Sequence, residues 1–236
     1  MIDRFAAGAY RVPVLYLDNH LLVVEKPPNL PVQADDSGDV DLLSAAKQFI
    51  GEKFQKPGQV YLGLVHRLDR PVGGVMVLAR TSKAAARLSK AFAEHTIEKK
   101  YLAILQGEMN IPMHMVDYLK KDERAHSSRV VDKDTPGAKI ARLTSTPIGV
   151  CDGMTLSEVE LMTGRAHQIR VQHRHATFPL WGDARYGGGK PGQQIALWAY
   201  ALRFAHPTKD ETMRFVCRPP NLGAWTVFYD QIEKMQ

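Results

Sequence analysis

Apolar runs in this chain stop at the length of a β-strand. Residues 12–17 and 75–79 are typical, and nothing approaches the roughly 18 apolar residues that a membrane-spanning helix needs. A chain cut this way must build its core from many short elements. With 236 residues it is long enough to bury a substantial core, as one large domain or two small ones. Hydrophobic residues make up 44% and charged residues 24%, a folded rather than disordered balance. The opening MIDRFAAGAYR puts Asp3 and Arg4 where a signal peptide needs apolar residues, so secretion by that route is not expected. Two cysteines, Cys151 and Cys217, exclude a disulfide framework and a cysteine-rich zinc site. A reduced, cytoplasmic protein is expected, with no membrane association.

The runs fall into a recognisable order. Residues 12–17 and 21–25 are β-rich around the turn pair Asp18-Asn19 and predict a hairpin. Three prolines in residues 26–31 then remove ladder donors and forbid a central strand. Residues 41–54 carry apolar side chains at helical spacing, and residues 61–65 and 75–79 read as strands around a tight segment. A helix follows from Thr81 or Ser82, both good N-caps. Residues 99–106 predict a strand, whereas 110–150 look irregular, with short strand-like pieces such as 140–144. Residues 155–162 predict a strand and 163–176 a helix. After a glycine-rich loop at 182–192 come strands near 195–204 and 213–217, and a short helix at 224–234. The expected fold is α+β: one catalytic domain over 1–236, with a central, mostly antiparallel mixed sheet flanked by helices and loops.

Charge narrows the partners. The net charge is +6 with a pI near 9.3. The first 118 residues hold 14 basic and 13 acidic side chains, the remainder 17 and 12. Arg165, Arg170, Arg174, Arg185 and Lys190 cluster with His167, His173 and His175 against the single acid Asp183. Such density suits phosphates, although a solvated basic face would look the same. The acids Asp35, Asp36, Asp39 and Asp41 read as an exposed loop leading into a helix. Several familiar signals fail. The GGGK at 187–190 precedes Pro191 where a phosphate loop needs Ser or Thr. HRLD at 66–69 has an extra Leu for a kinase loop, and the chain contains no Asp-Phe-Gly and no Gly-x-Ser-x-Gly. No histidine or cysteine pair has strong metal-ligand spacing.

The densest segment is His66-Arg67-Leu68-Asp69-Arg70-Pro71-Val72-Gly73-Gly74. A carboxylate stands between two arginines at a strand end, before a bend made by one proline and two glycines. Nearby cations keep a carboxylate ionised, and Asp69 then suits a nucleophile, a base or an ion-pair anchor; taken alone, the segment favours the anchor. Residues 163–170, TGRAHQIR, would as a helix place His167, Arg170 and Arg174 on one face, with guanidinium groups for carboxylates and phosphates. KKYLAI at 99–104 leads Tyr101 into a strand.

Taken together, these segments resemble the RluA-type family of pseudouridine synthases over nearly the whole chain. LYLDNHLLVVEKPPNLP at 15–31 is similar to the family's opening hairpin and Lys-Pro motif, and HRLD at 66–69 to its central signature. KKYLAI at 99–104 matches its tyrosine strand, TGRAHQIR at 163–170 with PLWGDARYG at 179–187 its third motif, and LWAYALRFAHP at 197–207 its late strand. Five positions depart. Val72-Gly73 replaces the usual Thr-Ser after the Asp, Asn29 and Thr177 stand where glycine is common, and Trp198 replaces a histidine. The pattern is that of a divergent subgroup.

The resemblance implies an isomerase that converts uridine in structured RNA, ribosomal or transfer, to pseudouridine. It implies Asp69 as the essential carboxylate, Arg170 as its partner, and Tyr101 as a stacking residue and base. His66 or Arg67 would fill the stack vacated by an extruded base, Leu197 would wall the base pocket, and Arg165, His167 and Arg174 would hold RNA. No cofactor and no metal are implied. The motifs begin by Leu15, so no separate N-terminal RNA-binding domain is expected, and the protein is expected to act as a monomer. The competing expectation is an inactive RNA-binding or RNA-folding protein that kept the fold; intact Asp69, Tyr101 and Arg170 weigh against it.

Overall fold

A computed structural model describes residues 3–235. The chain packs as two compact units, one from the residues up to Ile97 together with Ala201–Cys217, the other from Glu98–Tyr200 together with the residues from Arg218 on.

The first unit opens with strands β1 (Arg4–Ala7), β2 (Tyr10–Leu17) and β3 (Leu21–Lys26), followed by helix α1 (Leu42–Lys53). Strands β4 (Gly63–Leu64) and β5 (Gly73–Ala79) and helix α2 (Ser82–Ala93) complete its N-terminal part. The expected hairpin forms because Asp18 caps the turn: its carboxylate accepts the amides of His20 and Leu21, each at 2.8 Å. Tyr16, His206 and Lys209 also reach that carboxylate, at 3.2, 3.0 and 3.2 Å, which ties the turn to the end of the unit's late strands. β3 pairs antiparallel with β5, and every residue of β5 is buried, as its unbroken apolar run requires. Both helices start at side-chain caps. Asp41 accepts from the Ser44 amide at 2.9 Å and Thr81 from that of Ala84 at 3.2 Å, satisfying donors that a helix start leaves open. Asp41 is therefore 4% exposed and is not part of the solvated acidic loop that the sequence suggests; Asp35, Asp36 and Asp39 are.

The second unit holds β6 (Glu98–Gln106), β7 (Met113–Asp122), β8 (Ser127–Val131), β9 (Lys139–Cys151) and β10 (Met154–Leu161), then helix α3 (Gln168–His175). Strand β11 (Leu197–Ala205) leads the chain back into the first unit, where its end pairs with β12 (Thr212–Val216). The pairing order β6-β10-β9-β7-β8 is antiparallel throughout. Residues 110–150 are thus not irregular: they supply three strands, including one of 13 residues. One face of these strands is buried through Met115, Leu119, Ala141 and Leu143, and Leu119 and Ala141 pack with Val171 of α3. The C-terminal segment is a 3-10 turn, Gly223–Phe228, followed by the five-residue helix α4 (Tyr229–Glu233), shorter than expected. The α+β class holds. No helix among the described residues is long and apolar enough to cross a membrane.

Candidate functional site

In the first unit, the HRLD segment continues where β4 stops. Beyond Leu64 the backbone no longer pairs with β5, and the His66 ring takes over: its Nε2 accepts the Val77 amide at 3.0 Å. That bond makes Nε2 an acceptor in the neutral ring. The same ring stacks on Phe92, with centroids 4.7 Å apart. His66 therefore anchors the segment to β5 and α2, whereas Arg67 is exposed. Leu68 is buried, and Asp69, half-buried, opens a turn closed by the Val72 amide on its carbonyl at 2.9 Å.

The cation beside this turn is not the one that adjacency suggests. The Arg70 guanidinium turns to the acidic loop, donating to Ser37 Oγ at 3.0 Å and to Asp39, with Asp35 at 3.5 Å. Lys26 takes the inner position instead. It is fully buried, and its Nζ donates to the carbonyls of Pro27, Leu30 and Arg70 at 3.0, 2.8 and 3.0 Å. One ammonium thus uses three protons to bind the Pro-Pro segment and the turn after Asp69 together. Burial pulls its pKa down to about 7, against the Asp69 charge, which raises it. The Arg70 carbonyl also accepts the Asn29 amide at 2.8 Å. Asn29 makes that bond from a left-handed backbone, φ 66°, which asparagine tolerates better than other residues bearing a β-carbon. Its substitution for glycine is conservative in conformation. Lys26 was visible in the sequence only as part of the Lys-Pro motif, with no role attached.

In the second unit, Tyr101 is half-buried on β6, opposite Val159 of β10. The TGRAHQIR segment does not form one helix. Thr163 Oγ donates to Gln168 Oε1 at 2.7 Å and accepts the Arg142 amide at 2.8 Å, while Gln168 Oε1 also takes the Arg165 amide at 3.0 Å. This web holds residues 163–167 as a loop on β9. His167 has φ 54°, so α3 starts only at Gln168. His167, Arg170 and Arg174 are consequently not three turns of one exposed face. His167 lies outside the helix, with its Nδ1 2.8 Å from the Tyr186 hydroxyl. Tyr186 also accepts the Ser128 amide at 2.8 Å. Arg174 is exposed in the last helical turn, where a cation suits the helix dipole.

Arg170 is buried and forms a bidentate pair with Asp183: Nε to Oδ2 and Nη2 to Oδ1, both 2.8 Å. Asp183, to which the sequence reading gave no role, stands in the sequel of the third motif at 179–187. The pair is built for permanence. Asp183 Oδ1 also accepts the amides of Arg185 and Tyr186 at 3.0 and 3.1 Å, and the guanidinium lies 5.1 Å above the Tyr186 ring centre. Burial raises the Asp183 pKa, but the hydrogen bonds and charge of Arg170 and the two amides outweigh it and hold the carboxyl below its ordinary range. The loop closes tightly here: a β-carbon on Gly182 would lie 2.3 Å from the Gln194 carbonyl oxygen.

Other members of the basic stretch are committed internally. Arg185 reaches the carbonyls of Ala125 and His126. His173 is fully buried; its Nδ1 faces the Ile169 carbonyl and its Nε2 the Ser145 hydroxyl, both at 2.8 Å. Burial lowers its pKa to about 4, so it is neutral and contributes nothing to the basic surface. Leu197 is buried at the start of β11, as are Trp198 and, in the first unit, Val72.

The comparisons agree with these motifs. A family model described as RNA pseudouridylate synthase matches residues 20–175, which includes every motif from the end of the hairpin to the last turn of α3. The chain belongs to the RNA pseudouridylate synthase family. The uncharacterised RNA pseudouridine synthase YhcT of Bacillus subtilis is 31% identical over 84% of this chain and 65% of its own length. The ribosomal large subunit pseudouridine synthase D of Zymomonas mobilis is 32% identical over 88% and 69%. The corresponding synthase C of Haemophilus influenzae is 28% identical over 86% and 63%. The chain thus spans about two thirds of the length of these relatives. The human RNA pseudouridylate synthase domain containing 4 shares the fold, with a TM-score of 0.73 at 21% identity over 93% of this chain and 92% of that one. Lys26 thus braces the HRLD segment within the first unit, and the Arg170–Asp183 pair braces the third motif within the second.

Proposed function

We propose that this protein is an RNA pseudouridine synthase acting on ribosomal RNA. The observation that carries the reading is the Asp69 turn: a carboxylate of the HRLD signature, on a turn whose Arg70 carbonyl a buried ammonium ties to the Pro27 and Leu30 carbonyls of the Pro-Pro segment. Catalysis rewards groups held in place before the substrate arrives. In the reaction, the bond between N1 of uracil and C1′ of the ribose breaks, the base turns, and C5 bonds to C1′. Asp69 stabilises the electron-poor sugar carbon left when N1 departs, by attack or as counter-ion. Tyr101 stacks on the base and takes the C5 proton while N1, freed from the sugar, gains one, so the product is neutral and has the composition of uridine. The isomerisation consumes no water, oxidant or reductant, so neither cofactor nor metal has a step to perform. Arg67, exposed beside Asp69, fills the stack left by the extruded base. Arg165, His167 and Arg174 hold the RNA, and Arg170 supports the site through its fixed guanidinium.

Ribosomal rather than transfer RNA is supported by the relatives named for the large ribosomal subunit; the protein is taken to act as a monomer in the cytoplasm. Mapping pseudouridine in total RNA with and without the gene tests this directly: the expected result is one or a few missing ribosomal sites. Asp69→Asn should abolish tritium release from 5-tritiated uridine in RNA while leaving the thermal midpoint close to that of the parent. Substantial turnover by Asp69→Asn would overturn its role, and missing sites confined to transfer RNA would overturn the substrate.

A further inference from the structure

The sheet of the second unit has two faces, and the motif residues use only one. Side chains alternate along a strand, and directly opposite residues share a face. Tyr101 lies opposite Val159, Val159 opposite Ser145, and the Ser145 hydroxyl meets His173 of α3. That row and the buried Met115, Leu119, Ala141 and Leu143 belong to the face that α3 covers. The other face of β7, β8 and β9 is turned to solvent: Arg129 and Arg142 are exposed, and Val116 is 59% exposed.

This face has an ordered pattern. Tyr118 stands at its centre, half-buried, with Val131 directly opposite on one side and Ile140 on the other. Two residues further along β7, about 7 Å away, Lys120 faces Arg129 across the ladder. Two residues the other way, Val116 faces Arg142. An aromatic ring on an aliphatic bed is thus flanked by cations on both sides. Among the described residues no carboxylate forms a salt bridge with any of the three. Asp122, on which Lys120 and Arg129 act at longer range, has its Oδ1 committed to the amides of Arg124 and Ala125. Glu160 stands opposite Thr144, diagonal to Arg142, and forms no salt bridge with it. Like charges directly opposite each other weaken a ladder, so Lys120 and Arg129 cost stability until an anion lies between them.

We propose that this face is a second RNA contact, in which Tyr118 stacks an unpaired base and Lys120, Arg129 and Arg142 take the phosphates on either side. Aromatic side chains for bases and cations for the backbone are how single-stranded nucleic acid is held. A second copy of the chain fits the face poorly, because a two-fold dimer would set the patch against itself, three cations against three. The inference rests on the RNA reading above and extends it to RNA outside the stretch that carries the target uridine, since Tyr101 lies on the opposite face of the sheet.

Unmodified large-subunit ribosomal RNA transcribed in vitro serves as the probe, with Lys120→Thr, Arg129→Thr and Tyr118→Val, all substitutions that suit a strand. Each charge variant should lower the slope of log affinity against log salt by about one. Tyr118→Val should weaken binding roughly tenfold and leave the slope unchanged. Lys120→Thr should melt no lower than the parent; losses of binding that accompany a lower midpoint in all three variants overturn the contact, because misfolding would explain them. Full affinity in Tyr118→Val, or unchanged slopes in both charge variants, also overturns it. If the charge variants instead lose binding to phosphatidylserine vesicles with RNA affinity intact, the partner is a lipid surface and the RNA contact falls. A parent dimer that Tyr118→Val abolishes, again with RNA affinity intact, assigns the face to a second copy. Turnover by the parent on the same transcript is read separately by tritium release. Turnover with RNA binding untouched by the three variants refutes this contact alone, whereas the predicted losses of binding without turnover refute the activity and leave the contact standing.

Discussion

Replacing Asp183 with asparagine isolates the charge of the buried pair beneath α3. The side chain keeps its size and one oxygen for the amides of Arg185 and Tyr186, but it turns an NH2 toward a guanidinium that has only donors. Asp183 is 1% and Arg170 7% exposed, so solvent cannot replace the lost carboxylate. Removing one partner of a buried pair costs about 3–5 kcal/mol. The Tyr186 ring under the guanidinium retains part of the favourable field, which points to the lower end, about 3 kcal/mol. For a chain of this size each kcal/mol moves the midpoint by about 2–4 °C, so a fall of roughly 6–12 °C is expected. Thermal unfolding followed by circular dichroism reads the stability, and tritium release well below the variant's midpoint reads the chemistry. The pH dependence has a fixed sign. A carboxyl whose folded pKa lies below its ordinary 3.8 contributes stability that is present above that value and lost as pH falls through the folded one. The gap between parent and variant should therefore be full at pH 7 and close only in strong acid. Adding Arg170→Met removes the guanidinium as well, and tritium release should stay low for that reason. A loss under about 1 kcal/mol at pH 7, with isomerisation intact, would refute the whole line of reasoning.

Two further expectations concern the same helix. Thr177 ends α3 in the left-handed region, φ 67°, with the Phe178 amide on the His173 carbonyl and its own amide on that of Arg174, a terminator that glycine normally fills. A β-branched residue there costs about 1–2 kcal/mol, so Thr177→Gly should raise the midpoint by a few degrees without changing tritium release; a lower midpoint would show that the threonine is not strained. His173 is held neutral by burial, with its pKa lowered to about 4 from an ordinary 6.5. The unfolded chain then binds more protons between those values, and stability should fall by about 3 kcal/mol as pH drops from 6.5 to 4. His173→Gln should flatten that acid limb in chemical-denaturation curves, and an unchanged limb would assign it to other groups.

What was legible in the sequence were features that local chemistry decides. Asp18 and Asn19 announce the hairpin, Asp41 and Thr81 announce their helices, and the unbroken apolar run of β5 announces a strand buried on both faces. β7 to β9 were not legible, because their stability lies in partners far along the chain. Lys120 stands directly opposite Arg129, a pairing that like charges disfavour, and only the apolar residues of the other face hold the register. The helix expected over 163–176 failed at its start because Thr163, Arg142 and Gln168 satisfy the loop's polar groups without helical bonds, a competition that side chains such as threonine can win. Around Asp69 the error was one of direction. Adjacency made Arg70 the neighbouring cation, but the turn throws its side chain outward and admits Lys26, 44 residues earlier in the chain. The departures from the family pattern show most clearly what backbone geometry adds. Asn29 and Thr177 both replace a common glycine, and both adopt positive φ, 66° and 67°. Asparagine accepts that conformation through its short polar side chain, whereas threonine, branched at the β-carbon, is strained in it. Identical in kind on the page of letters, one substitution is close to neutral and the other a measurable cost, and the sign of Thr177→Gly follows from that difference.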